Sequence, residues 1–486
     1  MPNNKQSKSG LSSFFSFRYS PTHWRAATLI CVALFVGCAS QTYQPTPVSP
    51  ENIAQQRARL DHRDPAFRSY LEDNHYAVEN WPLRQFDLAG LMLTAMYFNP
   101  SVQLAHTRIE IAQADETIAG QRANPSLNFP DEPRDSFDFY GLVVDFVLER
   151  KAKRQARQAR AAAAREAAEF EFAQQAWSIY TKLHASLIDY YAAEQISLLL
   201  NKQREIIEES LHLLQQRVAA GQVSEFELSR LRLELQQKKL LISNQHFVIN
   251  DALHRLIKHT GLQADKFEQI KFSFSDLKLH LDPSTFEIEQ LQTELLHSRF
   301  DIKQKLAEYQ SFEQALKLEI EKQYPDVTLS PGFLFQEGES LWVLAAAWTL
   351  PLFHNNDGQI ARSLAERKLK QYEFIQLQSD LVNELARKKQ NYLDRLTAFD
   401  QSQQLFSALE VRSEEIEKQF KLGYSDRLTA LRAHLEVEKA RQAMFQIELE
   451  VMRAAAQLEA VTQSPSQPTI KKFDFMQSQQ LTTNNQ

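Results

Sequence analysis

The chain is short of cysteine and of glycine, and both shortages exclude something. Its two cysteines, Cys31 and Cys38, lie near the start. The rest of the 486 residues therefore holds no disulfide framework, thiolate metal site or cysteine nucleophile. Eleven glycines argue against a loop-rich or all-β chain. Neither sign of charge dominates: 55 Lys and Arg against 61 Asp and Glu leave a net charge of -6, which gives no reason to expect a nucleic-acid partner. There is no phosphate-binding glycine loop, zinc-protease motif or nucleophile elbow, so no constellation supports an enzyme or a cofactor. The 13 histidines are scattered, and His246, His254 and His259 lack the spacing of metal ligands.

What is present begins with an export signal. Lys5, Lys8, Arg18 and Arg25 precede the apolar stretch Ala26 to Val36, which is too short to cross a bilayer as a helix. It ends in Phe35-Val36-Gly37-Cys38, which resembles a lipobox. That resemblance implies a signal peptide over 1–37 and fatty acylation (palmitate) of Cys38 as the mature N-terminus. Ala39 in place of an Asp retention signal implies the outer membrane. The alternatives are plain secretory cleavage near Ala39 or an uncleaved anchor. Residues 38–85, broken by Pro45, Pro47, Pro50, Pro65 and Pro82, read as an extended segment leading to the folded body.

From Phe86 the pattern turns helical, and a tandem duplication emerges. Asn99-Pro100-Ser101-Val102 matches Arg299-Phe300-Asp301-Ile302, and Asn124-Pro125-Ser126-Leu127 matches Tyr324-Pro325-Asp326-Val327, both at an offset of 200. Gly221 to Phe226 matches Gly423 to Leu428 at nearly the same offset, and Arg230, Leu233 and Glu234 recur as Arg432, Leu435 and Glu436. The expected repeats are 86–280 and 281–464, followed by a flexible tail, 465–486.

Each repeat reads as helix, short β-hairpin, very long helix, tight turn and long returning helix. The hairpins are placed at about 125–149 and 325–352. In the second, Val327, Leu329, Phe333 and Phe335 alternate with Thr328, Ser330, Gly332 and Gln336. Its return strand sets Trp342, Leu344, Ala346, Trp348 and Leu350 on one face, with Glu337 to Ser340 as the turn. In the first, Leu127 and Phe129 lead through a polar turn, Pro130 to Asp135, to Tyr140, Leu142, Val144, Phe146 and Leu148. Long helices follow at about 152–259 and 358–463; the run Ala152 to Ala220 has no Pro or Gly and would span about 100 Å. Gly221 and Gly423 mark helix stops, with Ser224 and Ser425 or Asp426 as the next N-caps.

Four strands with one apolar face cannot close a barrel, yet a sheet in lipid must close. Two, three or four chains would give eight, twelve or sixteen strands. Trp342 and Trp348 lie six residues apart, roughly 20 Å along a strand, which suits the two aromatic girdles of a membrane barrel. An ordinary soluble β-core is the alternative. The Ala161 to Ala164 run, with Ala167 and Ala168, permits the close packing that a helical barrel around water needs.

This order of elements resembles TolC-like outer-membrane efflux proteins over about Phe86 to Gln463. The resemblance is carried by Asn99-Pro100, Asn124 to Leu127, Leu350-Pro351-Leu352-Phe353, Asn356 to Ala361 and the two glycine turns. Leu148-Glu149 with Lys153-Arg154 and Arg157 resembles the CzcC-like subgroup that serves heavy-metal cation pumps. The resemblance implies a mostly α fold with a small β part. It implies a homotrimer, with a twelve-strand outer-membrane barrel continued by a long α-helical barrel through the periplasm. It also implies a periplasmic adaptor and an inner-membrane proton-driven (RND-type) transporter as partners, and small solutes, heavy-metal cations among them, as cargo.

By the same implication the adaptor meets the tips at Val218, Ala219, Ala220, Gly221, Gln222, Leu422, Gly423 and Tyr424. Glu225, Glu227 and Asp426 are candidates for a pore constriction. Many such proteins carry an acidic residue nine positions after the tip glycine; Arg230 and Arg432 stand there in this chain, so salt-bridged or solvated carboxylates are the plainer reading. The basic run Arg150 to Arg165 reads as a solvated helix face or a contact for lipid phosphates. Two other functions fit the sequence: the outer-membrane duct of a type I protein-secretion system served by an ABC-type transporter, and a periplasmic coiled-coil scaffold without a pore.

Overall fold

The computed structural model describes residues 42–78, 81–130, 139–267, 270–274, 277, 291–336, 338–465 and 475–476. Cys31, Cys38 and the rest of the segment read as an export signal, as well as the turn from 131 onward, lie outside the described residues. The chain divides into a short N-terminal unit up to Ala58 and a second unit, Arg59 to Gln486. Within the stretch read as extended, two helices form: α1 (Pro50–Arg59) and α2 (Pro65–Asp73). In α2 the proline occupies the first turn, where its missing N–H costs nothing, and Asp64 caps the helix by accepting from the Ala66 N–H. Proline there starts a helix instead of breaking one.

Two matching series of elements follow. The first is α3 (Leu88–Phe98), α4 (Pro100–Gly120), β2 (Ser126–Asn128), β3 (Phe139–Leu148), α5 (Lys151–Ala219) and α6 (Glu225–Thr260), preceded by β1 (Gln85–Phe86) and followed by β4 (Lys271–Phe272). The second is α7 (Leu291–Ser298), α8 (Phe300–Glu321), β5 (Val327–Gln336), β6 (Glu339–Trp348), α9 (Asp357–Lys421) and α10 (Arg427–Thr462). At 69 and 65 residues, α5 and α9 would each reach about 100 Å.

The offset of 200 acquires a physical meaning at the starts of α4 and α8. Asn99 caps α4 through the Ser101 N–H, and its side-chain amide also donates to the His259 carbonyl at the end of α6. At the equivalent place Arg299 donates to the Val461 carbonyl near the end of α10, and the Phe300 N–H donates to the Gln463 side chain. In each repeat, one polar side chain ties the beginning of a short helix to the end of the returning long one.

Most of the core gathers where these ends meet. Leu91, Met92, Phe98, Tyr180, Leu183, Leu187, Leu256 and Met452 are all buried there. A second cluster joins α8, α9 and α10 around Ile302, Tyr392, Val451 and Leu458. Inside the first region Glu459 is buried, accepting from the Tyr180 hydroxyl at 2.5 Å and facing the His184 ring at 3.6 Å. The stretch read as a flexible tail also contributes: Phe475 is buried against Trp177, with ring centroids 5.2 Å apart. Local pattern missed β1 and β4, a parallel two-residue pair joining Phe86 to Phe272 across the first helical hairpin.

Gly261 is the least replaceable residue of this region. It ends α6 at φ +84°, and a Cβ there would stand 2.6 to 2.8 Å from backbone atoms of Phe98 and Asn99. Substitution must both strain a left-handed residue and push two backbones apart. Gly261→Ala is expected to destabilise the chain by at least about 2 kcal/mol, read as a lowered thermal midpoint. An unchanged midpoint would refute this packing.

Candidate functional site

The four-stranded antiparallel sheet has the order β2-β3-β5-β6, so the two repeats join through β3 and β5. Leu142 stands opposite Phe333, Phe146 opposite Leu329 and Leu148 opposite Val327. In the second hairpin Phe333 pairs with Trp342, Pro331 with Leu344 and Val327 with Trp348. Directly opposed residues share a face. One face therefore carries Leu127, Leu142, Val144, Phe146, Leu148, Val327, Leu329, Phe333, Trp342, Leu344 and Trp348. The other carries Asn128, Asp145, Thr328, Ser330, Gly332, Gln336, Ala345 and Ala347, with Val143, Val147, Leu334, Leu341 and Val343 among its larger apolar members. On that face the Asn128 amide donates to Asp145 at 2.6 Å.

No residue of this sheet whose side chain is described is buried. Trp342 is 86% exposed, Leu344 74% and Trp348 57%. Two details differ from expectation. Gln336 pairs directly with Glu339, so Glu339 and Ser340 belong to β6 and the turn closes within two residues, with Gly338 at φ +86°. The first outgoing strand is only three residues long and leaves Phe129 beyond its end.

At the far end of the long helices, the two turns are built alike. The Gly221 N–H donates to the Val218 carbonyl and the Gln222 N–H to the Arg217 carbonyl; Gly423 and Tyr424 do the same to Phe420 and Gln419. Both are Schellman closures with the glycine left-handed, at φ +72° and +83°. Ala219 ends α5, Ala220 is its C-cap, and Leu422 is the C-cap of α9. Leu214, Leu228 and Leu428 form a small core beneath the turns, with Val218 packed on it. Leu422, Tyr424 and Phe226 are left exposed.

All three candidate constriction carboxylates have arginine partners. Asp426 meets Arg217 at 3.0 Å, Glu227 meets Arg230 at 3.2 Å and Arg432 at 3.9 Å, and Glu225 meets Arg232 at 3.6 Å. The arginines found where acidic residues were looked for therefore neutralise Glu227. Asp426, not Ser425, is the N-cap of α10, accepting from the Thr429 N–H at 2.7 Å. Ser224 takes the matching position before α6 without a side-chain capping bond. Further ion pairs join α10 to the first repeat, from Arg427 to Glu209 and from Lys439 to Glu234, both at 2.8 Å.

Sequence reading overlooked a stripe on α6. Phe226, Leu233, Leu240 and Phe247 recur every seventh residue, and each is 60% exposed or more. A seven-residue apolar period is the seam of a coiled coil, here without a covering helix among the described residues of the chain. The period itself was the available signal. Among the described residues, no group of three or more His, Cys, Asp or Glu gathers as a metal site, and no helix is long and apolar enough to cross a membrane.

No protein-family model and no curated protein matches the chain. Solved structures do. The outer-membrane channel OprN superposes with a TM-score of 0.61 at 17% identity, over 89% of this chain and 100% of that one. The CmeC outer-membrane channel of Campylobacter jejuni gives 0.59 at 17% identity, over 77% and 85%. The MtrE outer-membrane channel of Neisseria gonorrhoeae, in its open state, gives 0.59 at 15% identity, over 77% and 88%. The chain has the fold of these outer-membrane channels. In that fold, the uncovered sheet and the glycine-capped helical tips occupy its two ends.

The Thr429 amide, with Arg217 beside it, holds the Asp426 carboxyl below the usual aspartate range. A depressed value means the stabilisation is complete above the ordinary aspartate pKa and is lost as pH falls through the folded one. Asp426→Ala is expected to weaken the tip by about 1 kcal/mol at neutral pH, seen as faster amide exchange at the start of α10 with little change in global melting. The difference from the unmodified chain should shrink as pH falls below the ordinary aspartate range and vanish once the folded carboxyl is protonated. A difference that persists there would refute the assignment.

Proposed function

We propose that this chain is the outer-membrane channel component of a tripartite efflux system, a conduit for small solutes. The observation that carries the reading is the four-stranded sheet, apolar on one face, mostly small or polar on the other, and buried nowhere among its described side chains. In water such a face is a large uncovered apolar patch, and its edges β2 and β6 have no strand partner among the described residues. Lipid against the apolar face and other copies against the edges remove both costs at once.

Three copies give twelve strands, enough to leave an aqueous lumen lined by the polar face, whereas eight would leave none. Trp342 and Trp348 then serve as the two aromatic girdles, and acylated Cys38 as a second membrane anchor. The heptad stripe on α6 finds its covering helix in a neighbouring subunit, which makes the long helices a closed periplasmic barrel. The tips offer Leu422, Gly423 and Tyr424 beside Val218 to Gln222 to a periplasmic adaptor, with an RND-type transporter in the inner membrane supplying the energy. Heavy-metal cations as cargo rest on the short run Leu148-Glu149, Lys153-Arg154 and Arg157 alone. Glu225, Glu227 and Asp426, each paired with arginine, make a charge-balanced constriction in place of an acidic ring.

Detergent-extracted full-length protein tests the proposal by oligomer mass and single-channel conductance in planar bilayers. A trimer with discrete conductance steps is expected, and its intact mass reads the acylation of Cys38 directly. A monomer that never enters bilayers would overturn the channel reading in favour of a poreless scaffold. The double variant Leu233→Gln/Leu240→Gln removes two exposed seam residues. It is expected to shift stability of the isolated chain by no more than about 0.5 kcal/mol while lowering the trimer fraction. An unchanged trimer fraction would reject the seam.

A further inference from the structure

Where the sheet hands over to the helices, a cavity of about 690 Å³ opens between the end of α4, the end of β3 and the first turns of α5. Six cations stand in or beside it, and the fold uses three. Arg150 meets Glu321 at 3.2 Å and lies over the Tyr324 ring. Lys153 donates to Asp326 at 2.7 Å. Arg157 is held by both oxygens of Glu149 and donates to the Ala119 and Gln121 carbonyls.

The other three, Arg122, Lys151 and Arg154, line the cavity, and none has a carboxylate within ion-pair distance among the described residues. Its two lining carboxylates, Glu149 and Asp326, are the ones already taken by Arg157 and Lys153. The cavity thus keeps three uncompensated positive charges. Beside Gln121, Ile118 and Leu148 give it an apolar wall, and both are at least half exposed. Leu148 is also the last residue of β3 on the apolar face, so the apolar wall continues along the sheet.

We propose that this cavity binds the phosphate headgroup of an anionic phospholipid, whose acyl chains run along the apolar face past Leu148. The chemistry that fits is a phosphate monoanion joined to hydrocarbon, since the polar and apolar parts of the site are contiguous. Basic pockets at the membrane boundary select such lipids. The assignment rests on the reading that the sheet lies in the outer membrane. It explains the lone cations of the basic run, and it places them at the periplasmic leaflet.

The test uses full-length protein in phosphatidylcholine nanodiscs containing a minor fraction of phosphatidylglycerol. Lipids that stay bound on release are counted by native mass spectrometry, which also reports the oligomer. The variant Arg122→Gln/Lys151→Gln/Arg154→Gln is compared with one neutralising three distant exposed cations, Lys202→Gln/Arg387→Gln/Arg412→Gln. Each membrane-proximal cation is worth roughly fivefold in affinity, so the first variant should hold phosphatidylglycerol about a hundredfold more weakly. The distant variant should match the unmodified protein, and millimolar inorganic phosphate should displace nothing.

Equal retention by the first variant, equal loss in the distant one, or displacement by inorganic phosphate would each overturn the lipid site. Protein that enters nanodiscs without preferring phosphatidylglycerol would also end this proposal while leaving the channel reading standing. Protein that never enters them would end both.

Discussion

A backbone N–H at a sheet edge bonds to water in solution and has no partner in hydrocarbon, where each unmet group costs several kcal/mol. β2 and β6 are such edges, and no described element of the chain covers either. Much else follows from where they find partners. On the proposed reading the apolar face takes lipid and the polar face water, and the two can coexist only on a closed wall. An open four-stranded sheet meets neither need, so the single chain is an incomplete object at that end.

The helical region is finished to a different degree. Its core around Tyr180, Leu183 and Met452 is closed within one chain, and the buried Glu459 has the Tyr180 hydroxyl to satisfy it. Toward the tips the burial thins: α9 buries Ser363, Leu381, Leu385, Tyr392 and Ser413 over its 65 residues. There the two repeats are held by Leu214, Leu228 and Leu428 together with surface ion pairs. Exposed pairs of this kind contribute at most about 1 kcal/mol each. The tips are thus the end with least internal stabilisation, and they can move without unfolding the core.

Features with a local cause were legible in the sequence. The repeats, the long helices and their glycine stops came from periodicity and from the αL preference of glycine, and Gly221 and Gly423 sit where that logic put them. The alternation at Val327 to Phe335 gave the strand, though the two-residue turn was read as four because Glu339 and Ser340 look like turn residues. Features set by distant partners were not legible. Gly261 is fixed by the backbone at Asn99, β1 by β4 and Phe475 by Trp177, and none of these partners lies nearby in sequence. The Leu148 to Arg157 run also braces a joint, which its spacing did not reveal: Glu149 and Asp326 hold Arg157 and Lys153 between strand and helix. The pairing of the tip carboxylates was half legible, since Arg230 and Arg432 were visible but their distances were not.

The join between β3 and β5 has one more consequence. By the duplication, β2 corresponds to β5 and β3 to β6, so the junction inside one chain sets the second strand of one repeat against the first strand of the next. In the proposed trimer, β6 of one copy meets β2 of its neighbour, which is the same junction formed between molecules instead of within one. The wall would then have six nearly equal sectors although only three chains build it, and the subunit boundary repeats a contact that each monomer already contains. In strand length, the departure from sixfold equality lies in the short β2, three residues against ten in β5. Every second junction is consequently the weaker one, and a ring of this kind would come apart there first, into whole chains.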